Sequence, residues 1–229
     1  MLRVTIFDYG AGNLHSLAKA LAEPDVEVRI EPDPLQATDA DVLVLPGVGS
    51  FAQAAGRLAS GREAMREAML GGNLPTLGVC LGMQLFFDGS DEGAGRGLGI
   101  IPGRVTRLAA RRVPQIGWNA LEDTRDPLFV AAPLPVAYYA NSFVCRPLAE
   151  DRVIAWSRHE GDRFPAAVRT GERGNVVGVQ FHPEKSSGAG LRFIRAFLGE
   201  VRAMRDVVGS TFSRGSSPRP ASRAPERSR

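Results

Sequence analysis

Short apolar runs rich in β-branched residues recur at positions 2–7, 26–30, 42–45, 76–79, 136–139, 153–155, 166–168 and 176–181, and each predicts a strand. Between the early runs lie helix-compatible stretches at about 13–21, 51–70 and 82–87. This alternation predicts an α/β protein with a mostly parallel central sheet flanked by helices. From 97 to 167 the helical pattern gives way to short runs, turns and prolines, which predicts additional antiparallel strands joining the sheet. At 190–204, Leu191, Ile194, Phe197, Leu198 and Val201 recur at steps of three and four, predicting a final amphipathic helix packed on the sheet.

After Asp206 the pattern stops. The ending SRGSSPRPASRAPERSR has almost no apolar material to offset ordering entropy, so residues 207–229 are expected to be a disordered Arg/Ser/Pro-rich tail on a single domain of residues 1–206. A solvated appendage is favoured over a binder of acidic partners. The tail also explains the charge: its five arginines against Glu226 carry +4 of a chain total of +3, leaving residues 1–206 at −1. A nucleic-acid partner is therefore not expected. With 44% hydrophobic and 23% charged residues, the chain is neither fully disordered, collagen-like nor coiled-coil. Two cysteines are too few for a disulfide-stapled secreted scaffold, Asp8 and Gly10 interrupt any amino-terminal signal core, and no apolar run is long enough to span a bilayer. A soluble cytoplasmic protein is expected, with no membrane partner.

The strongest chemical signal lies at 74–84, where an apolar strand runs into Gly78-Val-Cys80-Leu-Gly82 and then a helix-compatible stretch. This is the form of a nucleophile elbow: flanking glycines permit a tight strand-to-helix turn that lifts the central side chain above the sheet. Following helix amides would favour thiolate over thiol. A small buried hydrophobe is the competing reading of Cys80, and the glycines argue against it. Cys145 has no such turn and is assigned to packing.

A cysteine nucleophile needs a proton carrier, and the chain offers His15, His159 and His182. His159 sits in a charged, turn-like segment and His15 follows a glycine turn. His182 lies just beyond a strand with Glu184 two residues on, and in extended chain those two side chains face the same way. Cys80, His182 and Glu184 therefore form the candidate triad. A strand ending in Pro46-Gly-Val-Gly49-Ser offers one oxyanion amide and Leu81 another, although a purely structural turn explains 46–50 equally well. Gly10-Ala-Gly12 begins like a dinucleotide fingerprint but lacks the third glycine, and no Cys or His pairing has zinc-site spacing.

With these residues assembled, the sequence resembles class I, triad-type glutamine amidotransferases over about residues 2–200. The elbow Gly-Val-Cys80-Leu-Gly-Met-Gln84 and the ending Gln180-Phe-His182-Pro-Glu184-Lys185-Ser carry the class. Segments 8–13, 46–51, 97–103 and 117–119 resemble the branch that supplies glutaminase subunits to imidazole glycerol phosphate synthase. The resemblance implies hydrolysis of glutamine to glutamate and ammonia without metal or organic cofactor. Cys80 would form a glutamyl thioester, His182 would shuttle the proton and Glu184 would orient it. Gly49, Gln84 and the Ser142–Phe143 backbone would hold glutamine, with the amides of Val48 and Leu81 as the oxyanion hole. The ammonia would pass to a barrel-shaped cyclase subunit, HisF, in a heterodimer. HisF would use it to convert PRFAR to imidazole glycerol phosphate and AICAR in histidine biosynthesis, and ligand-loaded HisF would activate the glutaminase.

By the same resemblance Asn13 and Trp118 would face the partner. Lys185, one of only two lysines beside 26 arginines, is either a docking or gating contact or an ordinary solvated lysine. Two departures stand out: Gln115-Ile116 replaces the usual His-Met before Gly-Trp-Asn, and Ala140-Asn141-Ser142-Phe143 replaces the usual Val-His-Ser-Tyr. A glutaminase serving another synthase, such as one making anthranilate or pyridoxal phosphate, shares the triad but not the branch segments. A catalytically silent amidotransferase-like binding module is disfavoured by the intact Cys80, His182 and Glu184.

Overall fold

The computed structural model describes residues 1–10, 12, 14–72 and 74–213, with side chains described as far as residue 207. The central sheet is built first from β1 (Leu2–Phe7), β2 (Val26–Glu31), β3 (Val42–Leu45) and β4 (Thr76–Val79), and is completed late in the chain by β10 (Val153–His159), β11 (Asp162–Thr170) and β12 (Val176–Val179). Its seven strands run in the order β10-β11-β12-β4-β3-β1-β2. All neighbours from β12 to β2 are parallel, while β10 and β11 extend the sheet antiparallel at one edge. The α/β reading with a mostly parallel sheet therefore holds.

Strands buried on both faces read as unbroken apolar runs. In β3, Val42 and Val44 join the core under α1 (His15–Leu21) and α6 (Ser187–Ser213), while Leu43 and Leu45 join the opposite core. That second core receives α2 (Phe51–Leu58), α3 (Arg62–Leu70) and α4 (Leu81–Gln84). The single helical stretch expected at 51–70 is thus two helices. The intervening turn contains Gly61, where a Cβ would come within 2.7 Å of the Pro34 ring, so the chain breaks at a close approach that only glycine permits.

The region expected to add antiparallel strands does so only in part. Besides β10 and β11 it forms two separate small sheets. One comprises β5 (Gly89–Ser90), β6 (Gly103–Arg107) and β9 (Phe143–Pro147). The other is a ribbon of β7 (Gln115–Ala120) with β8 (Val136–Asn141), and the short α5 (Pro127–Ala131) lies between these two strands in sequence. The last helix also outruns its expected 190–204 span, continuing to Ser213 because proline does not interrupt the chain there. Residues 214–229, most of the expected tail, lie outside the described residues, as does Asn13.

Candidate active site

The parallel strands β1, β3, β4 and β12 all end at one edge of the sheet, the usual location of a site in such folds. β4 pairs with β12 through Val79 and Val179, so Cys80 and Gln180 leave the sheet side by side. The Cys80 amide donates to the Val179 carbonyl at 2.7 Å. Cys80 itself adopts φ 47 and ψ −104, a backbone conformation that L-residues rarely accept. Strain of this kind persists only where surrounding packing fixes it. Here the fixing is visible: a Cβ on Gly82 would overlap the Leu45 carbonyl oxygen, and one on Gly78 would lie 2.7 Å from Phe86. Because α4 is a single turn, its macrodipole is slight. What the elbow offers is local, the Leu81 amide at the first helical position, which has no partner within the helix.

His182 lies beyond the end of β12, which stops at Val179 rather than at the expected 181. Its amide donates to the Tyr138 carbonyl at 2.8 Å, and its carbonyl accepts from the Ser186 hydroxyl at 2.7 Å. Its Nδ1 meets Glu184 Oε1 at 2.8 Å, and its ring lies beside Cys80, both groups facing Gly47. Glu184 reaches the imidazole from a 3-10 turn, Pro183–Lys185, and not through extended chain. The expected contact is present, made by a different backbone geometry. Burial opposes a charged imidazole, but hydrogen bonding and charge from Cys80 and then Glu184 outweigh it and push His182 up to about 10.

Over this pair lies the turn that begins with Pro46. A Cβ on Gly47 would fall 2.8 Å from His182 Cε1 and 2.9 Å from Cys80 Cβ, so the backbone of the turn rests directly on both groups. Val48 is half-buried against Gly12, while Gly49 is exposed with φ 97. Ser50 caps α2, and Glu92 accepts from the Phe51 amide at 2.8 Å, fixing the far end of the turn. Leu14, Leu17, Gly47, Val48, Glu184 and Lys185 help line a cavity of about 210 Å³ beside the turn.

The other expected glutamine contacts converge from a third direction. Buried Gln84 donates through Nε2 to the Phe143 carbonyl at 3.0 Å and to Gln180 Oε1 at 3.2 Å. Asn141 Nδ2 donates to the same Phe143 carbonyl at 3.2 Å, and the Ser142 carbonyl accepts from Leu108. Gln180 and Gly47 lay within segments the sequence singled out but were given no role of their own, and Glu92 carried no signal.

The remaining candidates sit elsewhere. His159 closes β10 at the sheet edge, with Nε2 2.8 Å from the Arg112 carbonyl, and His15 is an exposed residue at the start of α1. Cys145 is wholly buried in β9, where burial pushes its thiol well above the ordinary value. Lys185 is exposed. Trp118 and Ile116 stand out on the β7–β8 ribbon, 55% and 68% exposed, with Val136 on the same face at 41%. Among the described residues, no helix is long and apolar enough to cross a membrane.

A family model described as "Glutamine amidotransferase class-I" matches residues 5–201. The "Imidazole glycerol phosphate synthase subunit HisH" of Symbiobacterium thermophilum is 44% identical over 200 residues, covering 85% of this chain and 92% of the relative. The protein of the same name from Halobacterium salinarum is 41% identical, covering 85% and 92%. Among solved structures, a chain from "Structure of PurLQS from Thermotoga maritima" superposes with a TM-score of 0.68 at 20% identity, covering 88% of this chain and all of that one.

Proposed function

We propose, from the premise that this chain belongs to the class I glutamine amidotransferase family, that it is the glutaminase subunit of an imidazole glycerol phosphate synthase. One observation carries the chemical reading: a thiol held at positive φ, beside a buried imidazole that is itself bonded to a carboxylate. In this proposal the Cys80 thiol passes its proton to His182 as Sγ attacks the side-chain carbonyl carbon of glutamine. The C–N bond breaks as protonated His182 gives its proton to the departing nitrogen, leaving ammonia and a glutamyl thioester. Water then attacks the thioester while His182 takes its proton, the C–S bond breaks, and glutamate leaves with the thiol restored.

Each remaining assignment rests on a physical feature. The Leu81 amide, without a partner inside its helix, supports its role as an oxyanion donor, and the turn lying over Cys80 supports Val48 as the second. Gln84 is hydrogen-bonded to the Phe143 carbonyl and to Gln180, which reaches the thiol, and Ser142 directly precedes Phe143, which supports a binding role for these three; Gly49, exposed in the turn whose Gly47 rests on Cys80, joins them. The acceptor of the ammonia is a HisF cyclase subunit in a cytoplasmic heterodimer, where PRFAR is cleaved to imidazole glycerol phosphate and AICAR. The exposed apolar ribbon around Trp118 supports a protein partner on that face, with Lys185 at its margin.

The decisive experiment compares glutamine-dependent and ammonium-dependent synthesis in the assembled enzyme. Cys80→Ser is expected to lower the glutamine-dependent rate at least about a thousandfold while synthesis from ammonium salt persists. Undiminished use of glutamine by Cys80→Ser would overturn the reading, and failure to bind a HisF cyclase would overturn the choice of synthase.

A further inference from the structure

Gln180 is wholly buried at the point where β12 leaves the sheet, and both ends of its carboxamide are in use. Nε2 donates to Cys80 Sγ at 3.4 Å, while Oε1 accepts from Gln84 at 3.2 Å. Gln84 is fixed in turn by the Phe143 carbonyl. A buried carboxamide is costly unless its groups are satisfied, and an apolar side chain would fill the same space without that demand. Packing alone therefore does not account for glutamine at this position, whereas a requirement of the sulfur does.

We propose that Gln180 is a further catalytic residue, holding the Cys80 sulfur by an N–H donor. The proposal rests on the glutaminase reading and adds a group to it. A hydrogen bond to a charged acceptor is stronger than one to a neutral acceptor, so the Gln180 N–H helps most when the sulfur carries negative charge, as it does at the start of its attack. The same donor acts again when the C–S bond of the thioester breaks, because the electron pair returns to sulfur as negative charge. Between those moments the sulfur is neutral and the bond weakens. The geometry also sets orientation: Gln84 N–H occupies Oε1, so the carboxamide is locked with its nitrogen toward the thiol. A group on the wall that faces glutamine thereby fixes the group that faces the nucleophile.

The test uses Gln180→Met, which keeps the length of the side chain and removes donor and acceptor, and Gln180→Glu, which keeps the shape and replaces the donor by a carboxylate. In the full chain assembled with its cyclase, both are expected to lower kcat for glutamine at least about tenfold, while ammonium-dependent synthesis persists. The distinguishing readout is alkylation of Cys80 by iodoacetamide as a function of pH, followed by mass spectrometry. Near neutral pH both variants should react at least about tenfold more slowly than the parent protein, and the difference should close at alkaline pH, where the thiol ionises without help. A merely structural role would lower the melting temperature and leave that profile in place. An unchanged profile in a folded variant, or loss of the folded state in both variants, would overturn the proposal. If the parent protein itself fails to hydrolyse glutamine with its cyclase present, it is the underlying functional reading that falls.

Discussion

His182 carries the largest electrostatic consequence of any single side chain at the site. Its value is raised from the ordinary 6.5 to about 10, so the folded protein holds a proton that the unfolded chain has released. The stabilisation from the charged imidazole is therefore fully present below about 6.5 and is lost as pH rises through about 10. His182→Asn is expected to remove a pH slope in that window of up to about 1.4 kcal/mol per unit, read from urea midpoints of the two proteins. If the slope survives the substitution, another group carries it. At this scale the sequence was informative wherever the signal was local. Glycines on either side of Cys80 and a carboxylate two places after His182 are visible in a few adjacent letters. Gln180 was visible only as part of the ending before His182, and its contact was not, because that depends on a sulfur beyond a neighbouring strand far away in the chain.

Elements were legible where burial was two-sided. β1, β3 and β4 were predicted with their observed bounds, since every position in them except Arg3 is buried and nearly all are apolar or β-branched. β6, β7 and β9 were not resolved individually, because Gly103-Arg-Val-Thr-Arg and Gln115-Ile-Gly-Trp-Asn-Ala mix polar, apolar and glycine positions in half-exposed strands. The ribbon also accounts for the two departures from the family pattern. Gln115 and Asn141 are register partners across β7 and β8, both buried, with Gln115 Oε1 and Nε2 and Asn141 Oδ1 lacking protein partners. Two exchanges that looked separate along the chain thus share one location. Substituting them with leucine singly and together is expected to give non-additive losses of stability, with a coupling of about 1 kcal/mol in urea denaturation. Strict additivity would mean that the two carboxamides do not sense each other.

For the molecule as a whole, the ribbon has two unlike faces. Its inner side holds Gln115 and Asn141, and its outer side presents Ile116, Trp118 and Val136. Trp118 packs edge-on against Tyr138, whose carbonyl accepts from the His182 amide, so the outer face is one residue removed from the proposed base. Trp118→Ala is expected to weaken cyclase binding by about 2 kcal/mol, or roughly thirtyfold in Kd by titration calorimetry, with little change in melting temperature. Unaltered affinity would place the cyclase elsewhere.

The strand order has a further effect on when the site comes into being. β12, the last strand among the described residues, inserts between β4 and β11 in the middle of the sheet, and both Gln180 and His182 arrive with it. A nascent chain halted at residue 175 would carry the thiol and no base. Catalytic competence is thus withheld until β12 and the turn after it have been made, and no ammonia is generated by a copy that stops short of them.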